Sequence, residues 1–571
     1  MLDKKYEKMI GVIDQGTSSS RFVVFSAVTG EVIAKHQIEI GREHPQSGWV
    51  QQSAVDIYQS TLNCMNNVAN ILRSLKVPTK NIAAIGITNQ RETSIAWDSH
   101  TGEPLCPAIV WSDSRTSDLV DRFIDKTPKK DKNTFQKKTG LAIHSYFSAL
   151  KIRWMLDNIP AVKEANEDGR LKVGTVDCWL IYKLTGGASG GKHLTDVTNA
   201  SRTNLFNIQK CKWDPELCEF IGINPSILPT VISSAQAYGH VKDPDCRLKG
   251  VVMGGILGDQ QAALVGQTWD PNPDPDSPRP HVKVTYGTGA FLLWDIGEKP
   301  SFSSRGLLTT IAYQMGPKAK VHYALEFQMR RFFQGAVAYS GATMDWLRYK
   351  LGLYTDHATG DELAKKALLE QHGPIQKAKS GQLADLKTMD ACYLVPAFSG
   401  LFCPYWREDA RGVIAGLNEK CTRGDLIAAG YRASAYQTQE VLDAARETND
   451  GTKRKPPRVI SVDGGLTKSS VLMQSLADIT GSTIIRPNKS DVMTALGAAV
   501  AAAMAVDIDP TDLVSIRKHE GGEEEKNTFQ PAVSPRTRHL WMKGYQSAVK
   551  RSFNWQSDAN KATSGRDGVE D

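Results

Sequence analysis

Near the start of the chain, "MIGVIDQGTSSSRFVVFSA" (residues 9–27) sets Asp14, Gly16, Thr17, Ser18, Ser19, Ser20 and Arg21 between two apolar runs. A tight turn of glycine and hydroxyl residues offers backbone N–H groups and O–H donors with little Cβ shielding, which is what phosphate oxygens require. Asp14, ending its strand, supplies the hard oxygen donor that suits Mg2+ or its water shell, and Arg21 adds positive charge. The same residues also make a simpler object, a hairpin whose hydroxyls close its own backbone groups. Two later segments favour the phosphate reading. "VKVTYGTGAFLLWDIG" (282–297) is strand, Gly-Thr-Gly turn, strand, and "RVISVDGGLTKSSVLMQSLADITG" (458–481) is strand, Asp-Gly-Gly, helix. Three strand-ending glycine turns, one early and two late, suit a nucleotide clamped between two domains.

Two further segments carry acid–base and hydroxyl chemistry. "GGILGDQQAALVGQ" (254–267) places Asp259 after a glycine-flanked strand, where a helix begins. Asp259 is there either as a helix cap or as a proton acceptor. A helix N-terminus stabilises the carboxylate and weakens it as a base, yet a weak base suffices when the proton leaves late in a loose phosphoryl-transfer transition state. In "NQRETS" (89–94), Arg91 and Glu92 supply a donor fork beside an acceptor, which matches polyol hydroxyls that both donate and accept. Without further context such a pair is a solvated ion pair.

These turns need strands and helices behind them. Apolar runs predict strands at 9–14, 21–27, 31–36, 82–88 and 94–97, and helical spacing predicts helices at 57–75 and at 148–160, the latter stopped by its proline. "TWDPNPDPDSPRPHVK" (268–283) is a proline-rich linker. The strand–glycine turn grammar repeats on both sides of it, which reads as a loose internal duplication. The chain divides into a first domain over 1–267, the linker, a second domain over 284–518, and a charged tail over 519–571 with an amphipathic helix and a polar end. A chain of 571 residues exceeds one core. A net charge of +7 with no long basic block argues against nucleic acid as partner. "ALGAAVAAAMAV" (495–506) is too short for a membrane span and reads as a buried helix. Nine unpatterned cysteines and twelve scattered histidines predict reduced thiols in a cytoplasmic protein, without a His/Cys metal site.

"IDQGTSSSRFVVF", "GITNQRETSIAWD", "GDQQAALVGQ", "YGTGAFLL" and "VDGG" follow one another in an order that resembles the FGGY carbohydrate kinases. "YFSALKIRWMLDN" (146–158) and "GLTKSSVLMQSLADITG" (465–481) are similar to that family's two signature segments, and the resemblance spans residues 8–510. It implies an α/β fold of two actin-like, RNase H-like domains facing a central catalytic cleft. It also implies transfer of the γ-phosphoryl of ATP, with Mg2+, to a polyol hydroxyl, with glycerol as the expected acceptor. By resemblance Asp259 is the catalytic base. Arg91, Glu92, Tyr146, Asp259 and Gln260 contact the hydroxyls, while Trp111 and Phe291 wall the carbon backbone. Thr17, Ser18 and Ser19 serve the phosphates with Arg21 nearby, Thr288 faces the terminal phosphates, Gly341, Gly465 and Ser469 lie beside the adenosine, and Asp14 serves Mg2+. "DVMTALGAA" (491–499) is either the helix behind the adenine or a close-packed helix of small residues, two compatible descriptions. Relatives are dimers or tetramers, so a homo-oligomer is expected. A kinase of a larger sugar and a non-catalytic relative are the competing functions. The sequence departs from the family at Phe327 to Gln334, eight residues between Glu326 and Gly335, readable as a loop beside the cleft or as translated non-coding sequence. It departs again at Gly430, inside a predicted helix.

Overall fold

The opening apolar run becomes a central strand because both its faces are covered. In the computed structural model, which describes residues 3–270, 281–303, 305–328, 340–373, 383–401, 403–447, 451, 453–518 and 526–555, β1 (Met9–Gln15) has Met9, Ile10, Val12 and Ile13 fully buried. It turns back into β2 (Ser19–Ser26) and β3 (Val32–Glu39), and pairs in parallel on its other edge with β4 (Ile82–Asn89). With β5 (Ala237–His240) and β6 (Val252–Gly258) these form a six-stranded sheet in the order β5-β6-β4-β1-β2-β3.

The second sheet repeats the plan. β7 (Val282–Tyr286) forms an antiparallel hairpin with β8 (Ala290–Gly297), which continues into β10 (His322–Gln328) and then β9 (Leu308–Tyr313). The other edge of β7 pairs in parallel with β11 (Val459–Asp463), then with β12 (Thr483–Ile485), and β13 (Thr528–Phe529) closes that side antiparallel. Hairpin on one side and two parallel strands on the other is common to both sheets, so the duplicated grammar of the sequence is a duplicated topology.

The helices follow the predicted apolar spacing, with one revision at Pro160. α1 (Ala54–Ser74) starts at a Ser53 cap that accepts from Asp56 N–H at 3.1 Å. α2 (Ser148–Asn158) ends before Pro160, which opens the next helix (Pro160–Glu167) rather than stopping the previous one, in keeping with the tolerance of proline at a first helical position. α3 (Asp259–Thr268) lies between the two sheets, its Leu264 packed with Leu293 of β8 and Ala324 of β10. α4 (Arg423–Arg446) and α5 (Ser470–Thr480) cover the second sheet. Gly430 in α4 has a packing reason: a Cβ there would lie 2.5 Å from Leu347 Cδ1 and 3.1 Å from Met344 Sδ.

α6 (Met493–Met504) crosses over. Although it comes late in the chain, it packs on Ile10, Val12, Val23, Phe25 and Ala84 of the first sheet. It also lies backbone to backbone on α3, where a Cβ on Gly266 or Gly497 would strike the carbonyl of Met493 or Ala262. The small residues of this helix are thus contact residues, and the helix is buried, as its sequence predicts. α7 (Pro535–Arg551) follows, with Trp541, Tyr545, Ala548 and Val549 buried in the core of the second sheet. Residues 271–280 of the linker, 329–334 of the inserted segment, most of the acidic run before 526 and the end beyond 555 lie outside the described residues. Phe327 and Gln328 extend β10, Phe327 into the core. All nine cysteines are free, and among the described residues no helix is long and apolar enough to cross a membrane.

Candidate active site

The strand ends of the first sheet carry the Arg91–Glu92 turn and Asp259. β4 runs out at Asn89 and the chain turns sharply, with Glu92 in a left-handed conformation (φ 58°) that non-glycine residues adopt at a cost. The turn is held because the Glu92 carbonyl accepts from the hydroxyls of Ser94 (3.0 Å) and Ser148 (3.2 Å). Arg91 and Glu92 are both buried, so the solvated-pair description fails. Instead Arg91 makes a bidentate pair with Glu326 of β10 (Nη1 to Oε2 2.8 Å, Nη2 to Oε1 2.7 Å) and reaches Gln261 Oε1 at 3.2 Å. Arg202 completes the set: its Nε donates to Glu92 Oε1 at 2.6 Å, its Nη1 lies 3.0 Å from Glu326 Oε2, and its guanidinium sits near the Tyr146 and Phe147 rings. Two buried arginines and two buried carboxylates therefore pair with one another, bridging the two domains.

Asp259 stands beside this network. It is the first residue of α3, Gly258 occupies the cap position, and Arg91 Nε lies 3.2 Å from Asp259 Oδ1. Gly258 makes this approach feasible, since a Cβ there would sit 2.7 Å from Arg91 Cγ and Cδ. The strand end is fixed by Thr198, whose hydroxyl accepts from Gly258 N–H at 2.9 Å and whose own turn is capped by Asp196. A third of the Asp259 side chain opens to the cleft. Protein on the other sides pushes its pKa above the usual carboxylate value, against the opposing pull of Arg91, the Gln260 N–H and Lys283. The sequence-based expectation of a base weakened by the helix terminus is reversed: burial outweighs the helix end.

The walls of this pocket are aromatic on one side. Tyr146 meets Trp111 edge to face at 5.8 Å, and Trp111 Nε1 donates to Thr17 Oγ1 at 2.9 Å, tying the wall to the hairpin. Lys151, buried beneath, donates to the carbonyls of Ser145 (2.8 Å) and Tyr146. Burial pushes its pKa down to about 7. Phe291, half-buried, pairs across the strands with Thr285.

The hairpin 14–21 sorts its hydroxyls. Ser20 is buried and bonds Gln15 and Ser60, Thr17 accepts from Trp111, and Ser18 and Ser19 have no side-chain partner among the described residues. Asp14 makes no Asx turn. Its ion-pair partner is Arg21 Nη1 at 4.0 Å, and Arg21 Nη1 is tied to the Asp491 carbonyl at 2.9 Å. Burial raises the Asp14 pKa to about 6, with Arg21 opposing and Asp259 adding to the rise. A half-buried carboxylate made less comfortable by a second carboxylate is chemically suited to a hard cation. Among the described residues no cluster of three His, Cys, Asp or Glu side chains is placed to hold a metal ion.

Opposite, the second domain offers backbone. Thr288 is exposed in the Gly287–Gly289 turn, where Gly341 N–H and Ala342 N–H donate to the carbonyls of Gly287 and Thr288 at 3.1 Å. A Cβ on Gly341 would lie 2.5 Å from the Gly287 carbonyl oxygen. Gly464 (φ 97°) packs on the Tyr286 carbonyl, and Gly465 beside it has open space where a side chain would be. Ser469 is occupied otherwise: it caps α5, accepting from Leu472 N–H at 3.1 Å, and donates to Asp361.

The structure thus unites Arg91, Glu92, Asp259, Gln260, Tyr146 and Trp111, and groups Thr288, Gly341 and Gly465 around one turn, with Ser469 set back as a cap. Sequence reasoning missed Arg202, Glu326, Lys283 and Lys151. Lys283 in "VKVTY" and Glu326 in "YALEF" carried a signal, a lone charge within an apolar strand, which is rare without a buried partner.

Residues 9–266 match the model for the N-terminal domain, and residues 282–506 that for the C-terminal domain, of the FGGY family of carbohydrate kinases. The chain is 40% identical to a glycerol kinase of Acidiphilium cryptum over 96% of its own length and 99% of that protein. It is 39% identical, over the same shares, to a probable glycerol kinase of Caenorhabditis elegans. Among solved structures, the Plasmodium falciparum glycerol kinase with ADP superimposes with a TM-score of 0.80 at 32% identity, covering 96% of this chain and 98% of that one. A xylulose kinase of Rhodospirillum rubrum, 19% identical over 95% of this chain and 98% of its own, shares the fold with a TM-score of 0.74.

Proposed function

The chain belongs to the FGGY family of carbohydrate kinases, and from that premise we infer that it phosphorylates glycerol with ATP to give glycerol 3-phosphate. The observation that carries this reading is the 3.2 Å approach of Arg91 to Asp259. It sets a group that binds hydroxyls against a carboxylate whose pKa is raised, at the mouth of a network too tightly neutralised to admit a charged substrate. The relatives named above supply the acceptor, a three-carbon polyol.

In this reading Arg91 and Glu92 orient the hydroxyls, Tyr146, Trp111 and Phe291 exclude water from the carbon edge, and Asp259 receives the proton of the attacking hydroxyl. Donor N–H groups of the 287–289 turn and the hydroxyls of Ser18 and Ser19 face the phosphates from opposite domains. The first domain holds the polyol and the hairpin, and the second holds the nucleotide beside Gly341 and Gly465. Asp14 would hold Mg2+ through its water shell, where the ion neutralises charge on the transferring phosphoryl group. Nine free thiols support a reducing, cytoplasmic setting. Purified protein assayed with ATP, Mg2+ and a panel of polyols tests the reading: turnover with glycerol is expected, and turnover confined to pentitols or sugars overturns it. Light scattering on the same sample tests the expected homo-oligomer.

A further inference from the structure

Gln260 has an amide that either end can present to a ligand, because its oxygen and nitrogen exchange by a half-turn. Its neighbour removes that freedom. Lys283 reaches from β7 of the second domain to α3, with Nζ 2.5 Å from Gln260 Oε1 and 3.0 Å from Thr285 Oγ1. The lysine is fully buried. Strand register puts Lys283 and Thr285 on one face of the sheet, in rows with Leu293 and Glu326 and with Phe291. An ammonium has three donors and no acceptor, so only the amide oxygen can face it. Burial pushes the lysine pKa down, but Asp463 and Asp259 favour its charged form.

We propose that Lys283 is a positioning residue that locks the Gln260 amide across the domain boundary, so that Nε2 faces the acceptor pocket as an obligatory donor. This rests on the reading above that Gln260 lines that pocket. Adjacent residues on α3 then have opposite polarity toward the polyol: Asp259 accepts, and Gln260 donates to a hydroxyl oxygen. An acceptor lacking that oxygen leaves a buried N–H unpaired, which penalises it more than a lost contact alone. The lysine thereby contributes to the choice of substrate without touching it.

Steady-state kinetics of Lys283→Met, Gln260→Ala, their double variant, Lys283→Arg and Gln260→Glu test the proposal. Lys283→Met is expected to raise the glycerol KM about tenfold, the effect of one lost charge-assisted hydrogen bond, with the ATP KM unchanged. The double variant is expected to be no worse than Gln260→Ala, and Lys283→Arg to recover most of the loss. Gln260→Glu keeps an oxygen toward Lys283 and folds independently of the lysine substitution. It replaces the donor by an acceptor and must raise the glycerol KM at least as much as Gln260→Ala. Wild-type glycerol KM in Gln260→Glu, or additive losses in the double variant, overturns the proposal while leaving the glycerol reading intact. A wild-type protein inactive on glycerol overturns both.

Discussion

Around Arg91 the cleft is lined by long charged side chains that neutralise one another, whereas around the 287–289 turn it is lined by glycines that present bare main chain. The first arrangement places charge from four separate segments, carrying Arg91 with Glu92, Arg202, Asp259 and Glu326, against one small volume. The second places Gly341 and Gly464 so close to the carbonyls of Gly287 and Tyr286 that a methyl would not fit. Small, uncharged hydroxyl ligands demand oriented side chains, because only their directions of donation and acceptance distinguish them. A polyphosphate is recognised by any concave array of N–H groups. One half should therefore fail when charge is removed, and the other when carbon is added.

The largest effect should follow Asp259→Asn: kcat down about a thousandfold, in the range for loss of a proton acceptor, with the glycerol KM within a few-fold of wild type. Retained turnover would remove Asp259 from its role. Next comes Arg91→Ala, which removes the bidentate partner of buried Glu326 and leaves it paired with Arg202, itself shared with Glu92. Stability should fall by about 3–5 kcal/mol by denaturant titration, and the glycerol KM should rise while the ATP KM does not. Gly464→Ala tests the other half. At φ 97° against the Tyr286 carbonyl it should cost about 1–3 kcal/mol and raise the ATP KM, leaving that for glycerol alone. A glycerol-selective defect there would erase the contrast.

The smallest effect on catalysis belongs to a site outside both halves. Burial pushes the Glu440 carboxyl up to about 8, the Tyr405 hydroxyl opposing. Because the folded value exceeds the ordinary 4.5, the native state holds the extra proton between those pH values. Glu440 therefore contributes stability that is full below pH 4.5 and lost as pH rises through 8. Glu440→Gln should flatten the melting temperature across that window and raise it above pH 8, with both KM values unchanged.

Much of the frame was legible in the sequence because it rests on local pattern. The runs 9–14 and 82–88 are strands, the small residues of 495–506 make a buried helix, and the three glycine turns end strands as expected. The site was legible only as residue types. That Arg202 orients Glu92, and that Glu326 crosses from the second domain to Arg91, depend on pairings more than a hundred residues apart, which no local spacing encodes. Asp259 shows the same limit: its position at a helix start was readable, but the direction of its pKa required the surrounding protein. Pro160 misled because proline ends one helix and begins another with equal ease.

α6 gives the molecule an order of assembly. Until residue 504 has left the ribosome, Ile10, Val12, Val23 and Phe25 lack the helix that covers them, so the half synthesised first is finished by the half synthesised last. A nascent chain stopped before 493 would carry an open, sticky β-surface, the kind of intermediate that chaperones retain. The two domains share a topology, but they are not separable parts.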